Sequence, residues 1–201
     1  MSSFLNQTLC RMPVVSPVNL TWTELNTALY QMWAATTQAS NWMLTELFTR
    51  DVRRTTEEKM PRMGFAYLYP EARVRFPILP SRSIAALEQA VKAKYRARRY
   101  DVIWRCAASL STYRYPTPFP VPNQAWSLAF VNEQPVVSLR VADLRVQMRL
   151  KGGPRYHRQL SALRDLDEGQ AVPGQLDLYQ KGSDLLCKMV AWLPRRRQTS
   201  E

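Results

Sequence analysis

Six cations, Lys92, Lys94, Arg96, Arg98, Arg99 and Arg105, fall within about four helical turns, opposed in that run only by Asp101. Packed so closely, ammonium and guanidinium groups suit one task above others, the holding of phosphates. Tyr95, Tyr100, Trp104, Tyr113 and Tyr115 are interleaved with them, and Arg114 extends the set. Rings stack on bases while cations grip the backbone, which is the pairing that single-stranded nucleic acid or an RNA–DNA hybrid requires. Neighbouring like charges on a helix repel by roughly a few tenths of a kcal/mol per pair, so helix stability gives no reason for them. A solvated basic helix face is the plainer alternative. Tyr95 also falls on the apolar side of this stretch and is the stacking candidate best suited to the core.

Other chemistry is sparse. The single histidine, His157 in RYHRQL, has no Ser or Cys motif beside it that would define a nucleophile and base. Between arginines it reads as a surface or RNA-contacting residue. Asp165, Asp167 and Glu168 could in principle hold a divalent cation, but consecutive acids before Gly169 read more simply as a solvated turn. Neither a phosphate-binding loop nor a dinucleotide glycine pattern occurs. Cys10, Cys106 and Cys187 are odd in number and far apart, a spacing that suits neither zinc nor a disulfide framework, and reads as reduced, mostly buried thiols of a cytosolic protein.

The elements that must position these residues follow from periodicity. Ile84, Leu87, Val91 and Tyr95 repeat at steps of three and four, so a helix is expected from Ser81, capped by Ser81 or Ser83, with a break near Tyr100 and resumption through Ala108. An earlier helix should begin at Thr21, where Glu24 completes a capping box, and run to about Phe48. Residues 3–15 read as a strand stopped by Pro13 and Pro17. DVRRTTEEKMPRM at 51–63 suggests an exposed connector or a short helix. Pro70, Pro77 and Pro80 suggest an irregular, extended path.

Pro116, Pro118, Pro120 and Pro122 mark a stiff linker, after which strands dominate. Residues 125–131 and 135–141 form a hairpin across Asn132 and Glu133. In 144–150, Leu144, Val146, Met148 and Leu150 alternate with Arg145, Gln147 and Arg149, which makes one face core and the other basic. A short helix at 156–166 and strands at 175–180 and 185–193 complete the series. Six strands are expected, enough for a small closed barrel. Lys151, Arg155 and His157 follow the basic strand and join Arg145 and Arg149 as candidate phosphate contacts.

The chain of 201 residues carries a net charge of +12, and residues 81–120, with eight Lys/Arg against two Asp/Glu, hold half of that excess. A focused patch of this kind suggests an anionic partner and says nothing of fold. Neither a leader peptide nor a membrane span is evident, so a soluble intracellular protein is expected.

The order of these parts, with LYPEARVRFPILPSRSIAALEQAVKAKYRARRY, PTPFPVP and DLYQKGSDLLCKMVAWLP, resembles the front half of compact type V CRISPR effectors and their transposon-encoded TnpB relatives. The resemblance implies an α+β fold in which a helical recognition domain is inserted into an oligonucleotide-barrel-like wedge domain of antiparallel strands. Its implied parts are a first wedge strand at 1–17, the recognition domain at 18–115, the wedge barrel at 116–194 and a basic tail at 195–201. It further implies guide RNA and target DNA as partners in a prokaryotic cytosol, gripped by charge and shape while base pairing supplies the sequence. In the family a RuvC-like nuclease domain follows, with separated acids that hold metal ions, and a zinc-binding insertion. Neither is recognisable in this sequence, so a binding half is expected whose cutting half and magnesium lie elsewhere, on the same or a separate polypeptide. No cofactor and no catalytic residue is assigned to this chain. Alternative readings are a sequence-tolerant RNA- or single-strand-binding protein unrelated to CRISPR, a metal-dependent nuclease acting through Asp165, Asp167 and Glu168, and a structural protein with a basic face.

Overall fold

The computed structural model describes residues 5–56 and 67–194; the tail at 195–201 and most of the polar stretch read as a connector lie outside these. The fold is α+β, with four helices and a seven-stranded antiparallel sheet curled into a half-barrel. Two compact units divide the chain: Met1–Leu29 with Pro120–Glu201, and Tyr30–Phe119.

The first unit is built on the sheet, in the order β2-β6-β7-β1-β5-β4-β3. β1 (Leu5–Pro17) does not stop at Pro13. Up to Pro13 it pairs with β7 (Asp184–Pro194), and from Val14, across a bulge, with β5 (Leu144–Leu150). Pro13 thus sits where the strand changes neighbours; its carbonyl accepts the Lys151 amide at 2.8 Å, and its missing N–H costs no ladder bond at the irregularity. β2 (Phe119–Val121) turns part of the expected proline linker into a short strand whose residues are all buried.

β3 (Trp126–Val131) and β4 (Gln134–Val141) form the expected hairpin. Asn132 and Glu133 both take positive φ, 48° and 63°, the conformation that matches a two-residue turn to the twist of its strands. β5 alternates as read from Arg145 on, with Val146, Met148 and Leu150 buried, Arg145 and Gln147 facing solvent and Arg149 half-buried; Leu144, expected on the core face, is exposed at the turn. α4 (His157–Asp167) packs on β1, β3 and β7 through Ala162 and Leu163, and β6 (Val172–Lys181) closes against β7. With β2 and β3 as its two ends, the sheet is not the closed barrel expected from six strands.

α1 (Trp22–Thr56) starts at the expected capping box. The Thr21 amide and hydroxyl donate to Glu24 at 2.8 and 2.7 Å, and the Glu24 amide donates back to Thr21 Oγ1 at 3.2 Å. Bonds from the Thr21 backbone and side chain hold the Glu24 carboxyl below its ordinary range. The helix runs beyond Phe48 through Asp51, the start of the expected connector.

In the second unit, α1 from Tyr30 onward is joined by α2 (Tyr69–Arg75) and α3 (Ser81–Ile103). α2 replaces part of the expected extended path, because Pro70 occupies the first turn, where a missing N–H costs nothing. α3 is uninterrupted at Tyr100 and does not resume beyond Ile103; Pro80 precedes it, with no serine side-chain cap. Buried Thr36 and Ser40 satisfy their hydroxyls on carbonyls of their own helix, Met32 and Thr36, at 2.7 Å each. Asn41 forms a two-way bond with the Tyr113 backbone, at 3.0 and 2.7 Å, which fixes the segment after α3.

Candidate nucleic-acid interface

The α3 cations do not share one face. Lys92, Arg96 and Arg99, at steps of four and three, flank one side of the Ile84–Leu87–Val91–Tyr95 stripe, and Lys94 with Arg98 flank the other. Several of them serve the fold. Lys92 Nζ lies 2.7 Å from the buried Glu88 carboxylate, and Arg99 donates from Nε and Nη2 to buried Asp51 at 2.7 and 3.1 Å. Tyr95 is core, as its place on the stripe suggested: it is 2 % exposed and donates its hydroxyl to Asp51 at 2.7 Å. Burial, with the Asp51 bond and charge, pushes its phenol well above the ordinary range. Tyr95 is thus a core residue that joins Arg99 in tying α3 to Asp51 of α1, and Lys92 is engaged within α3 by Glu88.

Lys94 Nζ sits 3.8 Å from the Tyr113 ring centroid and reaches the Thr112 carbonyl at 3.5 Å. Tyr113 is half-buried, and burial pushes its phenol up. Arg98 contacts Ser111 at 3.4 Å, whereas Arg96 and Arg114 are exposed. At the end of α3, Trp104 is 50 % exposed, and Arg105 lies 5.0 Å from the Tyr100 ring and 3.6 Å from Asp101. The accessible remainder in this unit is thus Arg96, Arg98, Arg105 and Arg114 with the rings of Tyr100 and Trp104.

The sheet unit carries a better defined basic surface. The register sets Arg140 of β4 directly opposite Arg145 of β5, and Val136 opposite Arg149, all on the side away from the core residues Val137, Leu139, Val146 and Met148. Beside the arginine pair an open concavity of about 400 Å³ is lined by Gln124, Trp126, Ser127, Ser138, Arg140, Asp143 and Arg145. Arg145 Nε donates to Ser138 Oγ at 3.2 Å, and Arg140 meets the exposed Asp143 at 3.4 Å and the Ala142 carbonyl at 3.2 Å. Asn19 pins the β5 backbone here, accepting from the Gln147 amide at 2.8 Å and donating to the Arg145 carbonyl at 2.7 Å. Asp143 is the sole carboxylate in the lining.

Lys151, Arg155 and His157 lie exposed at the turn between β5 and α4, together with Arg158, and none of the four has an ion pair among the described residues. Asp165, Asp167 and Glu168 end α4: the Asp165 carbonyl accepts the Gln170 and Ala171 amides, and Glu168 accepts from the Gln170 side chain. Among the described residues no group of His, Cys, Asp or Glu is placed to hold a metal ion, and no helix is long and apolar enough to cross a membrane. Cys10 and Cys187 are buried, whereas Cys106 is exposed.

Sequence reasoning missed Arg140, because the hairpin it read joins β3 to β4, whereas Arg140 meets Arg145 in the pairing of β4 with β5. It also missed Tyr67 and Tyr69, whose rings form a near-parallel pair. Compared with known proteins, the chain matches no family model and no curated protein.

Proposed function

We propose that this chain binds RNA, and RNA paired with DNA, as the guide-RNA- and target-DNA-binding portion of a compact type V CRISPR effector or TnpB-like protein. The observation that carries this reading is the outer side of β4 and β5, where Arg140 and Arg145 line an open concavity with one carboxylate to oppose them and Arg149 follows on the same side of β5. Three arginines on one side of a two-stranded ladder suit a phosphate backbone, because each can donate a charge-assisted bond to a phosphate oxygen. Supporting it is the chain order, with strand β1 before a helical unit and the remaining strands after it, as expected of an oligonucleotide-barrel-like wedge that carries an inserted recognition domain.

The role of these residues is to hold and orient. Arg145, braced by Ser138, keeps its remaining nitrogens for phosphate oxygens; Lys151, Arg155 and His157 extend the basic track beyond the strand. Strand cleavage, with its magnesium ions, belongs in that family to a nuclease domain and is not assigned to these side chains.

The test is the nucleic acid that travels with the protein, read by small-RNA sequencing. A discrete RNA species that the chain protects supports the guide-RNA reading; a mixture without defined ends supports sequence-tolerant single-strand binding instead. In either case Arg140→Ala with Arg145→Ala and Arg149→Ala should weaken RNA binding and lower the salt slope by about 0.7 to 0.9 per lost phosphate contact. Unchanged affinity and slope in that variant, or no RNA affinity at physiological salt in the parent, would sink the proposal.

A further inference from the structure

The largest exposure among the tyrosines near the α3 cations is at the entry to α2. Tyr67 is 64 % exposed, and its ring lies 5.9 Å from that of Tyr69 with the planes 22° apart. Such an offset stack leaves ring faces bare to water, a cost that a merely structural pair would avoid by burial. The pair is nonetheless held firmly. Leu68, between the two rings, is fully buried, and its amide donates to Glu88 Oε1 at 2.7 Å. The same oxygen takes Lys92 Nζ at 2.7 Å, and that ammonium lies 5.8 Å from the Tyr67 ring centroid. Pro70 then fixes the backbone immediately after Tyr69. An apolar anchor, a buried hydrogen bond and an ion pair thus fix two rings that face solvent, and that is preorganisation.

The charge around the pair indicates what it receives. Arg73 lies 5.8 Å from the Tyr69 ring, is exposed and has no ion pair among the described residues, whereas Arg75, two positions on, lies 5.6 Å from the Trp42 ring. The one acid of α2, Glu71, is taken by Arg50 at 2.8 and 2.9 Å, so its charge is offset. An exposed ring stacked on a second and edged by exposed Arg73 suits a base joined to a phosphate better than an uncharged proline-rich peptide, which also stacks on tyrosine.

We propose that Tyr67 and Tyr69 form a stacking platform for an unpaired nucleobase of RNA, with Arg73 on the adjoining phosphate and Glu88 and Lys92 as positioning residues beneath. This rests on the RNA-binding reading above and adds to it a preference for single strands, carried by the helical unit.

The experiment compares the full chain with Tyr67→Ala and Tyr67→Phe, using a short labelled oligoadenylate RNA and a fully paired RNA duplex across a salt series. Tyr67→Ala should weaken oligoadenylate binding by about tenfold and leave its salt slope unchanged, because stacking releases no counterions. Duplex affinity should stay as in the parent, and Tyr67→Phe should restore single-strand binding, since the ring and not the hydroxyl is used. If Tyr67→Ala binds oligoadenylate as the parent does, or loses duplex and single strand alike, the platform is overturned while RNA binding stands. Should the parent bind neither RNA, both readings fall. Quenching of tyrosine fluorescence by an oligoproline peptide and not by oligoadenylate would likewise overturn it.

Discussion

At the scale of single residues, Asp51 is the hinge of the charge arrangement in the helical unit. Its carboxylate is 5 % exposed and accepts from the Tyr95 hydroxyl and from Nε and Nη2 of Arg99. Removing it strands a buried hydroxyl and a largely covered guanidinium, so Asp51→Ala should cost about 3 kcal/mol, read as a lowered urea midpoint. Replacing exposed Arg96 should leave that midpoint nearly unchanged. Titration gives a second residue-scale expectation. Burial pushes the Cys10 thiol up to about 11, and raises Cys187 and Tyr95 as well. A thiol whose folded value is raised ionises first in the unfolded chain, whose ordinary value is about 8.5. Stability should therefore be intact below about pH 8.5 and fall as pH rises toward about 11. Cys10→Ala should flatten that fall when denaturant midpoints at about pH 8 and about pH 10 are compared; an equally steep loss in the variant would show that Cys10 is not its source.

Element by element, what could be read locally was read well. The capping box at Thr21 and Glu24, the turn at Asn132 and Glu133 and the alternation of β5 each depend on residues within a few positions of one another. Long-range partners were illegible. The charged stretch after Arg50 looks like a connector until Asp51 meets Arg99, 48 positions on, and α1 then continues into it as far as Thr56. Pro13 looks like a strand end and the prolines around Phe119 like a linker, yet β1 changes partners at the former and β2 threads the latter. The candidate site shows the same division: Arg145 and Arg149 were legible from alternation, whereas the loss of Lys92 and Arg99 to internal acids was not, even though Glu88 stands one turn before Lys92. Gly174 carries a prediction at this scale. A Cβ there would lie 2.8 Å from two Val190 side-chain carbons and 3.1 Å from Trp192 Nε1, next to the β6 bulge, while its carbonyl accepts Trp126 Nε1 at 3.0 Å. Gly174→Ala should force β6 from β7 and cost about 1 to 3 kcal/mol, measured as a lower thermal midpoint. A midpoint equal to the parent's would show that the two strands yield freely.

For the whole molecule, the decisive feature is that β1 lies between β7 and β5, paired with both. Cys10, Met12 and Val14 put their side chains into the core from this strand. A chain lacking residues 5–17 should therefore lose cooperative unfolding of the sheet unit, and a peptide of those residues, added in trans, should restore it. If the shortened chain melts as the parent does, β1 is dispensable and the sheet has another way to close.

During translation this strand leaves the ribosome long before either neighbour is made, since β5 begins at Leu144 and β7 at Asp184. The helical unit, whose contacts fall within Tyr30–Phe119, is complete earlier and can fold while β1 waits with a bare edge on each side. A nascent segment in that state is a natural client for a chaperone that binds extended apolar peptides, and yield in the cell should track elongation speed through the second half of the message.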